Sequence, residues 1–434
     1  MLFSEKLLHY VWRHRLFNIH DLQTITGEPV QVASPGSWNT NAGPDFLDAR
    51  VRVGNTLLAG NVELHLKASD WIRHDHNKDK QYSNLILHVV YEYDLAGEDN
   101  LPRYMPTIEL QGRIPGLLIE RYIRLMQHGG NILCAGQLDK VNELTWFSWK
   151  DRLLIERWQQ KTALFAEWMR GNHNNWEETF YLALARNFGM PVNGDAFEAL
   201  ARSIPLKILA RHKDNLLHLE ALCFGQAGML HEKLKEEYPL KLYKEYLFLQ
   251  RKYSLTPMRP HLWKWMRMRP SAFPSIRLAQ FAALVHRSSH LFSNILETRD
   301  IRHIESMFLV SASSYWDNHY HLLKRGEKEL PASSRKKQLG KSMIQSILIN
   351  TICPMLAMYD QFQLQGEYLD RAFEWMKTLP PENNRYTREW EELSIDHSTA
   401  WDSQALLQLT KYYCTEKRCL ECAVGNKILN AGRE

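Results

Sequence analysis

Three features are missing from this 434-residue sequence, and each absence excludes a class of protein. No run of about 18 apolar residues occurs, so no transmembrane helix is predicted. The first turns carry Glu5, Lys6 and Arg13 where an export signal would be apolar, which predicts a cytoplasmic protein without membrane association. The phosphate-binding motif Gly-x-x-x-x-Gly-Lys-Ser/Thr is also absent, which argues against an ATP-driven motor.

The excess of positive charge is small. A net charge of +5 and a pI of about 8.7 permit a nucleic-acid partner without arguing for one. Between Arg251 and Arg277, however, there are seven Lys or Arg and no Asp or Glu, interleaved with Trp263 and Trp265. Basic groups neutralise phosphates and aromatic rings stack on unpaired bases, although core tryptophans beneath basic side chains are the alternative. The candidate nucleic-acid contacts are Arg259, Lys264, Arg267 and Arg269.

Cysteine is scarce, with six residues in the chain, and three of them are bunched as C-x4-C-x2-C at Cys414, Cys419 and Cys422. Without an export signal, bunched cysteines favour metal binding over disulfides. Cys353 is the best candidate for a fourth ligand, because it lies in the helical segment just upstream. The weaker candidates are Cys134 and Cys223. Four cysteines would hold Zn²⁺ or a [4Fe-4S] cluster, and free thiols are the alternative.

The hydrophobic pattern predicts an α+β protein. Leu7, Leu8, Val11 and Trp12 recur at helical spacing within a predicted helix over residues 5–17. Two strands follow, over residues 46–53 and 56–66, joined at the turn residues Gly54-Asn55, and residues 85–90 form a buried strand. From about residue 114 the pattern is helical. We therefore expect a small mixed α/β domain over residues 1–113 and a large all-helical region over residues 114–434.

The predicted hairpin carries an acidic residue in or next to each of its two strands. Asp45 precedes the first strand and Glu63 lies on the second, where Val62 and Leu64 form the apolar face. Two carboxylates on neighbouring strands can share a divalent cation, which stabilises charge building on a phosphate. A polar side chain two residues after Glu63 shares its face and can orient water. Regular alternation would give Asp45 an apolar face, so it must lie in a kink or before the strand.

Pro44-Asp45, the hairpin and Glu63-Leu64-His65 resemble the PD-(D/E)XK nuclease pattern, and the order of elements over residues 1–95 also fits that restriction-endonuclease-like fold. The resemblance implies Mg²⁺- or Mn²⁺-dependent cleavage of DNA or RNA, with Asp45 and Glu63 as metal ligands. His65 occupies the place where Lys is usual, and Lys67 follows on the same face, so the catalytic candidates include both. The alternative is an amphipathic strand whose polar face meets solvent.

A second tier of polar residues follows the hairpin: Asp70, His74, His76 and Asp79. Such a group would accept Mn or Zn, or would supply an acid and a base to a phosphate. A polar surface loop is the alternative. His88, within an apolar strand, is expected to be a core histidine.

The series Gly-Pro-Asp-Phe, Val-Glu-x-His, Ser-Asp-Trp, His-x-His and Leu-His-Val-Val, between residues 43 and 90, is similar to that of a full-length family of uncharacterised bacterial proteins. The cysteine layout resembles in outline the iron–sulfur nucleases of the RecB-like type. Two hypotheses follow: a metal-dependent nuclease, or a non-catalytic nucleic-acid-binding protein with a structural metal or cluster. A third is a metal-dependent hydrolase of another class that uses His74 and His76.

Overall fold

The computed structural model describes residues 3–74, 80–95, 105–322, 334–364 and 366–432. It confirms the α+β class, with a mixed β-sheet over residues 30–109 followed by a largely helical region. The chain forms two compact units. The first contains residues 1–149 and 409–434, and the second contains residues 150–408. The C-terminal segment with its three cysteines therefore belongs to the first unit, a grouping that differs from the predicted boundary at residue 113.

Helix α1, Glu5–Arg13, opens the first unit. Ser4 caps it by accepting a hydrogen bond from the Leu7 backbone N–H at 3.3 Å, which satisfies one of the unpaired donors of the first turn. Leu7, Leu8 and Trp12 are buried. The helix ends four residues before the predicted residue 17, because Arg15 adopts a left-handed conformation with φ of 51°.

The sheet has the order β1-β3-β4-β5-β6, with β2 also paired to β3. Strands β1, β3 and β4 are antiparallel neighbours, whereas β4, β5 and β6 are parallel. The predicted hairpin and buried strand are confirmed. The strands are β1 Val30–Ser34, β2 Ser37–Trp38, β3 Phe46–Val53, β4 Thr56–Lys67, β5 Leu85–Glu92 and β6 Thr107–Glu109.

A β-bulge interrupts β3 near its start. The register with β4 shifts between Phe46 and Ala49, and Asp48 has φ of 57°. Beyond the bulge, Ala49 and Val51 are buried and alternate with exposed residues. Asp45 lies before the strand, as expected, so the apolar alternation of β3 does not determine which way it faces.

Two further helices of the first unit precede its C-terminal segment: α2 Asp70–Arg73 and α3 Gly116–Gln127. The last helix, α18 Ala423–Asn430, packs on α3. The Tyr10 hydroxyl of α1 donates to Asn426 Oδ1 at 2.6 Å, and Arg121 donates to the Leu429 carbonyl at 3.1 Å. These bonds join the two ends of the chain within one unit.

The remaining helices follow one another from residue 143. They are α4 Glu143–Gly171, α5 Trp176–Gly189, α6 Gly194–Ser203, α7 Leu206–Arg211, α8 Leu216–Gln226, α9 Glu237–Tyr253, α10 Pro274–Arg287, α11 Leu291–Glu297, α12 Ile301–Met307, α13 Lys341–Ile347, α14 Cys353–Gln363, α15 Glu367–Thr378, α16 Arg385–Glu392 and α17 Ala400–Leu409. Buried side chains from most of these helices form one continuous core in the second unit.

Helices α13 and α14 are joined by the π-helical turn Leu348–Ile352 and form one continuous helical stretch, Lys341–Gln363. Among the described residues, this stretch alone is long and apolar enough to cross a membrane. That evidence is weak, because 72% of its apolar window is buried within the protein, as in the core helix of a soluble protein.

Gly225 sets the close packing of α8 against α9. A Cβ atom at this position would lie 2.1 Å from Tyr246 Cγ, at the fixed base of a ring whose hydroxyl donates to Gln226 Oε1 at 2.7 Å. Gly225→Ala should therefore destabilise the protein by about 1–3 kcal/mol, the usual cost of overpacking. The thermal unfolding midpoint measures the effect. Gly171→Ala is the control, because no atom lies within 4 Å of its Cβ position; equal midpoints for the two variants would contradict the prediction.

Candidate metal centre

Asp45 and Glu63 are held together by two reciprocal hydrogen bonds. The Asp45 backbone N–H donates to Glu63 Oε2 at 3.1 Å, and the Leu64 backbone N–H donates to Asp45 Oδ2 at 3.0 Å. Each carboxylate is thus fixed by the backbone of the other strand. The structure brings together the two residues that the sequence proposed as metal ligands.

The polar face of β4 does not meet solvent. Glu63 is 5% exposed and His65 is 1% exposed. The alternative of a solvated amphipathic strand is therefore wrong for these two positions. Buried ionisable groups are costly unless they are paired, hydrogen-bonded or bound to a metal, so their burial marks this site as specialised.

Helix α1 brings two further ligand types to the same place. One side-chain atom each of Glu5, His9 and Asp45 lies within 4.8 Å of the other two, and no other such group of three occurs among the described residues. Ligands of one cation lie about 2.0–2.6 Å from it, so opposite ligands stand about 4–5 Å apart. The spacing suits a shared divalent cation.

The His9 imidazole has the orientation of a ligand. Its Nε2 lies 3.2 Å from Asp45 Oδ2, but the two atoms are not aligned for a hydrogen bond. Sequence reasoning missed Glu5 and His9. Their separation of four residues places both on one face of α1, and that spacing was the only signal available.

Burial and the proximity of these carboxylates to one another raise the pKa values of Glu63 and Glu5. Burial raises the pKa of Glu63 to about 9, and the neighbouring Asp45 carboxylate adds to the rise while the Asp45 N–H opposes it. Burial also raises the pKa of Glu5, with Asp45 contributing. Carboxylates that resist ionisation beside one another favour a cation among them.

His65 stands where the nuclease pattern has Lys. Its Nε2 lies 3.6 Å from Glu63 Oε1, and its Nδ1 shares a hydrogen bond with His88 Nε2 at 2.9 Å. His88 is fully buried, as predicted for a core histidine, but it also orients the His65 ring. The ring of His74 lies 5.3 Å from that of His65, centroid to centroid.

Lys67 is directed elsewhere. Its Nζ lies 3.7 Å from Glu92 and 3.9 Å from Asp94, and the side chain is 45% exposed. The structure therefore brings His65, and not Lys67, into contact with Glu63. Lys67, the last residue of β4, forms ion pairs at the surface, and such pairs contribute little to stability.

The second-tier residues divide into two groups. Asp70 is buried, accepts a hydrogen bond from the Lys67 N–H at 3.2 Å and pairs with Arg73 at 2.8 Å. Both Asp70 and His74 are close enough to influence Glu5. His76 and Asp79 lie outside the described residues.

Cys419 and Cys422 lie near Cys134 within the first unit. Burial raises the pKa of Cys134 to about 12, and the neighbouring Cys422 and Cys419 add to the rise. Burial raises the pKa of the Cys422 thiol to about 11, and the backbone N–H groups of Gly425 and Val424 oppose the rise. Cys414 is half-buried, in the π-helical turn Thr410–Cys414.

The predicted fourth ligand, Cys353, belongs to the second unit. It is fully buried at the start of α14, where Lys161 is its charged neighbour. Cys223 is likewise buried in the core of the second unit. The thiol that accompanies Cys419 and Cys422 in the first unit is therefore Cys134, which the sequence had ranked lower.

The four basic candidates Arg259, Lys264, Arg267 and Arg269 are all exposed in the second unit, in the segment between α9 and α10. Of the neighbouring tryptophans, Trp263 is buried and Trp265 is 36% exposed. Of the two predicted aromatic partners of these basic groups, Trp263 therefore lies in the core and Trp265 lies at the surface.

These features define an α+β protein with a partly buried carboxylate–histidine centre at the junction of a helix and a hairpin. Residues 5–385 match the model of a family described as protein of unknown function, DUF2851, and the chain belongs to that family. No curated protein and no solved structure gives a significant match.

Replacing Asp45 tests the centre directly. Asp45→Asn should weaken binding of Mn²⁺ by about 10-fold or more, because an amide is a poorer ligand than a carboxylate. Calorimetric titration of the full chain measures the affinity. Asp48→Asn is the matched control, because this exposed carboxylate lies three residues away and asparagine tolerates its left-handed backbone. Equal affinities for the two variants would remove Asp45 from the site.

Proposed function

We propose that this protein is a divalent-metal-dependent phosphodiesterase that cleaves DNA or RNA. The observation that carries the proposal is the group formed by Glu5, His9 and Asp45, with Glu63 held beside it by the Asp45 N–H. These residues would hold Mg²⁺ or Mn²⁺. A bound cation there would stabilise charge on a phosphate and lower the pKa of a water molecule.

The order of elements supports this class. Helix α1, the antiparallel hairpin of β3 and β4, the short α2 and the parallel strand β5 follow one another as the PD-(D/E)XK resemblance implies. Asp45 precedes one hairpin strand and Glu63 lies on the other. The order of the elements thus supports the proposal in addition to the ligand residues. Function still follows from the site and not from the fold alone.

His65 is the candidate for handling a proton. It contacts Glu63 on one side and His88 on the other, so its ring is oriented through both nitrogens. A positioned imidazole can accept a proton from water and return it to a leaving group near neutral pH. His88 acts as a positioning residue through this hydrogen bond.

Cleavage assays on the full chain test the proposal. Glu63→Gln should lower the Mn²⁺-dependent cleavage rate by about 100-fold or more, because it removes a charged ligand while keeping the shape of the side chain. Labelled single-stranded DNA, duplex DNA and RNA should each be used as substrate. Asp48→Asn is again the control and should cleave like the wild type.

A wild-type protein that binds Mn²⁺ but cleaves none of these substrates would contradict the proposal. It would favour the alternative of a non-catalytic nucleic-acid-binding protein. The observation behind that alternative is His65 in place of the usual Lys beside Glu63, while Lys67 pairs with Glu92 and Asp94.

We also propose a structural metal site formed by Cys134, Cys414, Cys419 and Cys422. Its ligands would be four thiolates, which suit Zn²⁺ or a [4Fe-4S] cluster. The backbone N–H groups of Gly425 and Val424, which oppose the rise in the pKa of Cys422, would stabilise its thiolate. The sulfurs would need to converge further than in the structure, through side-chain rotation. The metal would fasten the C-terminal segment to residues 134–140.

Metal analysis of anaerobically purified protein tests this site. Cys134→Ser should lose most of the bound zinc or iron, whereas Cys353→Ser should retain it, because Cys353 lies in the other unit. The two cysteines are matched controls, since both are buried. The opposite result would restore the original assignment of Cys353, and an absorption spectrum separates an iron–sulfur cluster from zinc.

A further inference from the structure

A cavity of about 380 Å³ lies in the second unit beside the segment between α9 and α10. Its volume is within the range of small-ligand sites, which is about 300–1,000 Å³. Its lining includes five aromatic or imidazole rings: Trp263, Trp265, Phe273, His231 and His321. The cavity lies directly beside the basic segment.

The segment that carries these rings is firmly held. The Trp263 indole N–H donates to the Ala227 carbonyl at 2.9 Å, and its ring contacts Phe197 edge-to-face. The buried Asn193 side chain donates to the Lys264 carbonyl at 2.9 Å and accepts from the Lys264 N–H at 2.8 Å. The position of Trp265 is therefore set in advance of any binding event, which reduces the entropy lost on binding.

Trp265 itself is available at the surface. Its ring is 36% exposed and meets Phe273 edge-to-face, with ring centroids 5.7 Å apart. Neighbouring Met266 is 82% exposed. An aromatic ring fixed at the mouth of a cavity, with a second ring at right angles, can accept another flat ring against its face.

The charged residues that flank Trp265 in the sequence are all basic. Arg259, Lys264, Arg267 and Arg269 are exposed, and none forms an ion pair with an acidic residue that the structure describes. No Asp or Glu occurs between Arg251 and Arg277. Cations without internal partners are suited to neutralise phosphates.

We propose that this cavity binds an unpaired base of a single-stranded nucleic acid, which stacks on Trp265 while the four basic residues contact the flanking phosphates. The inference rests on the proposed function for the class of its ligand, and it names single strands as the form that is bound. Duplex bases are already stacked on one another, so they cannot offer a face to Trp265.

Binding measured in EDTA tests the cavity independently of cleavage. A fluorescein-labelled oligothymidylate of about 15 nucleotides and a mixed-sequence duplex of the same length serve as probes, with fluorescence anisotropy as the readout. Trp265→Ala should weaken single-strand binding by about 5- to 150-fold, the range for loss of one base–aromatic stack. Duplex binding should not change.

Two variants complete the test. Phe248→Ala, at an aromatic residue of α9 that is 59% exposed, should bind like the wild type. Arg269→Gln should weaken binding to every single-stranded sequence and lower the slope of log K against log salt by about 0.7. Wild-type affinity in Trp265→Ala, or equal losses for single strand and duplex, would overturn the proposal.

The two proposals fail separately. Loss of cleavage in Glu63→Gln, together with loss of single-strand binding in Trp265→Ala, supports both. Binding that depends on Trp265 in a protein that cleaves nothing refutes the nuclease and keeps the cavity. Cleavage of single strands with wild-type affinity and rate by Trp265→Ala refutes the cavity alone.

Discussion

Two hydrogen bonds across the start of a β-hairpin fix the geometry on which the candidate centre depends. The Asp45 N–H donates to Glu63, and the Leu64 N–H donates to Asp45, so neither carboxylate can move without breaking a bond to the other strand. The bulge at Asp48 makes this possible, because it separates Asp45 from the alternation that buries Ala49 and Val51. The site is thus built from backbone geometry as much as from side chains.

The same geometry carries an electrostatic cost. Glu5, Asp45 and Glu63 bring three carboxylates together, and burial raises the pKa of Glu63 to about 9. A fold stabilised only by packing would avoid such a group, since apolar residues of similar volume would cost less. Perturbed carboxylates of this kind are enriched at functional sites, where a cation or a substrate offsets the repulsion.

Local patterns predicted the parts of the site that are local in sequence. The hairpin, the position of Asp45 before its strand, the location of Glu63 and the burial of His88 follow from alternation and turn chemistry over a few residues. Glu5 and His9 were missed because their role depends on how α1 packs on the sheet, some forty residues away along the chain.

The cysteines illustrate the same limit. Cys353 is closer along the chain to the C-terminal cluster, and that proximity favoured it as a ligand. The C-terminal segment folds into the first unit, where Cys134 lies. The pattern of residue types along the chain does not predict this long-range arrangement. Sequence spacing predicts ligands within one turn or loop; it does not predict which distant segment will supply another.

The replacement of Lys by His65 changes how this site could manage charge. A lysine would bring a permanent positive charge to a phosphate, whereas His65 shares a proton with buried His88 and contacts Glu63. In the proposed nuclease, the positive charge at the centre would then come mainly from a bound cation. His9 adds an imidazole to the carboxylates, a ligand that suits Mn²⁺ better than Mg²⁺, which prefers oxygen. In the proposed nuclease, a centre with His9 as a ligand and His65 in place of Lys would therefore favour a transition metal over Mg²⁺.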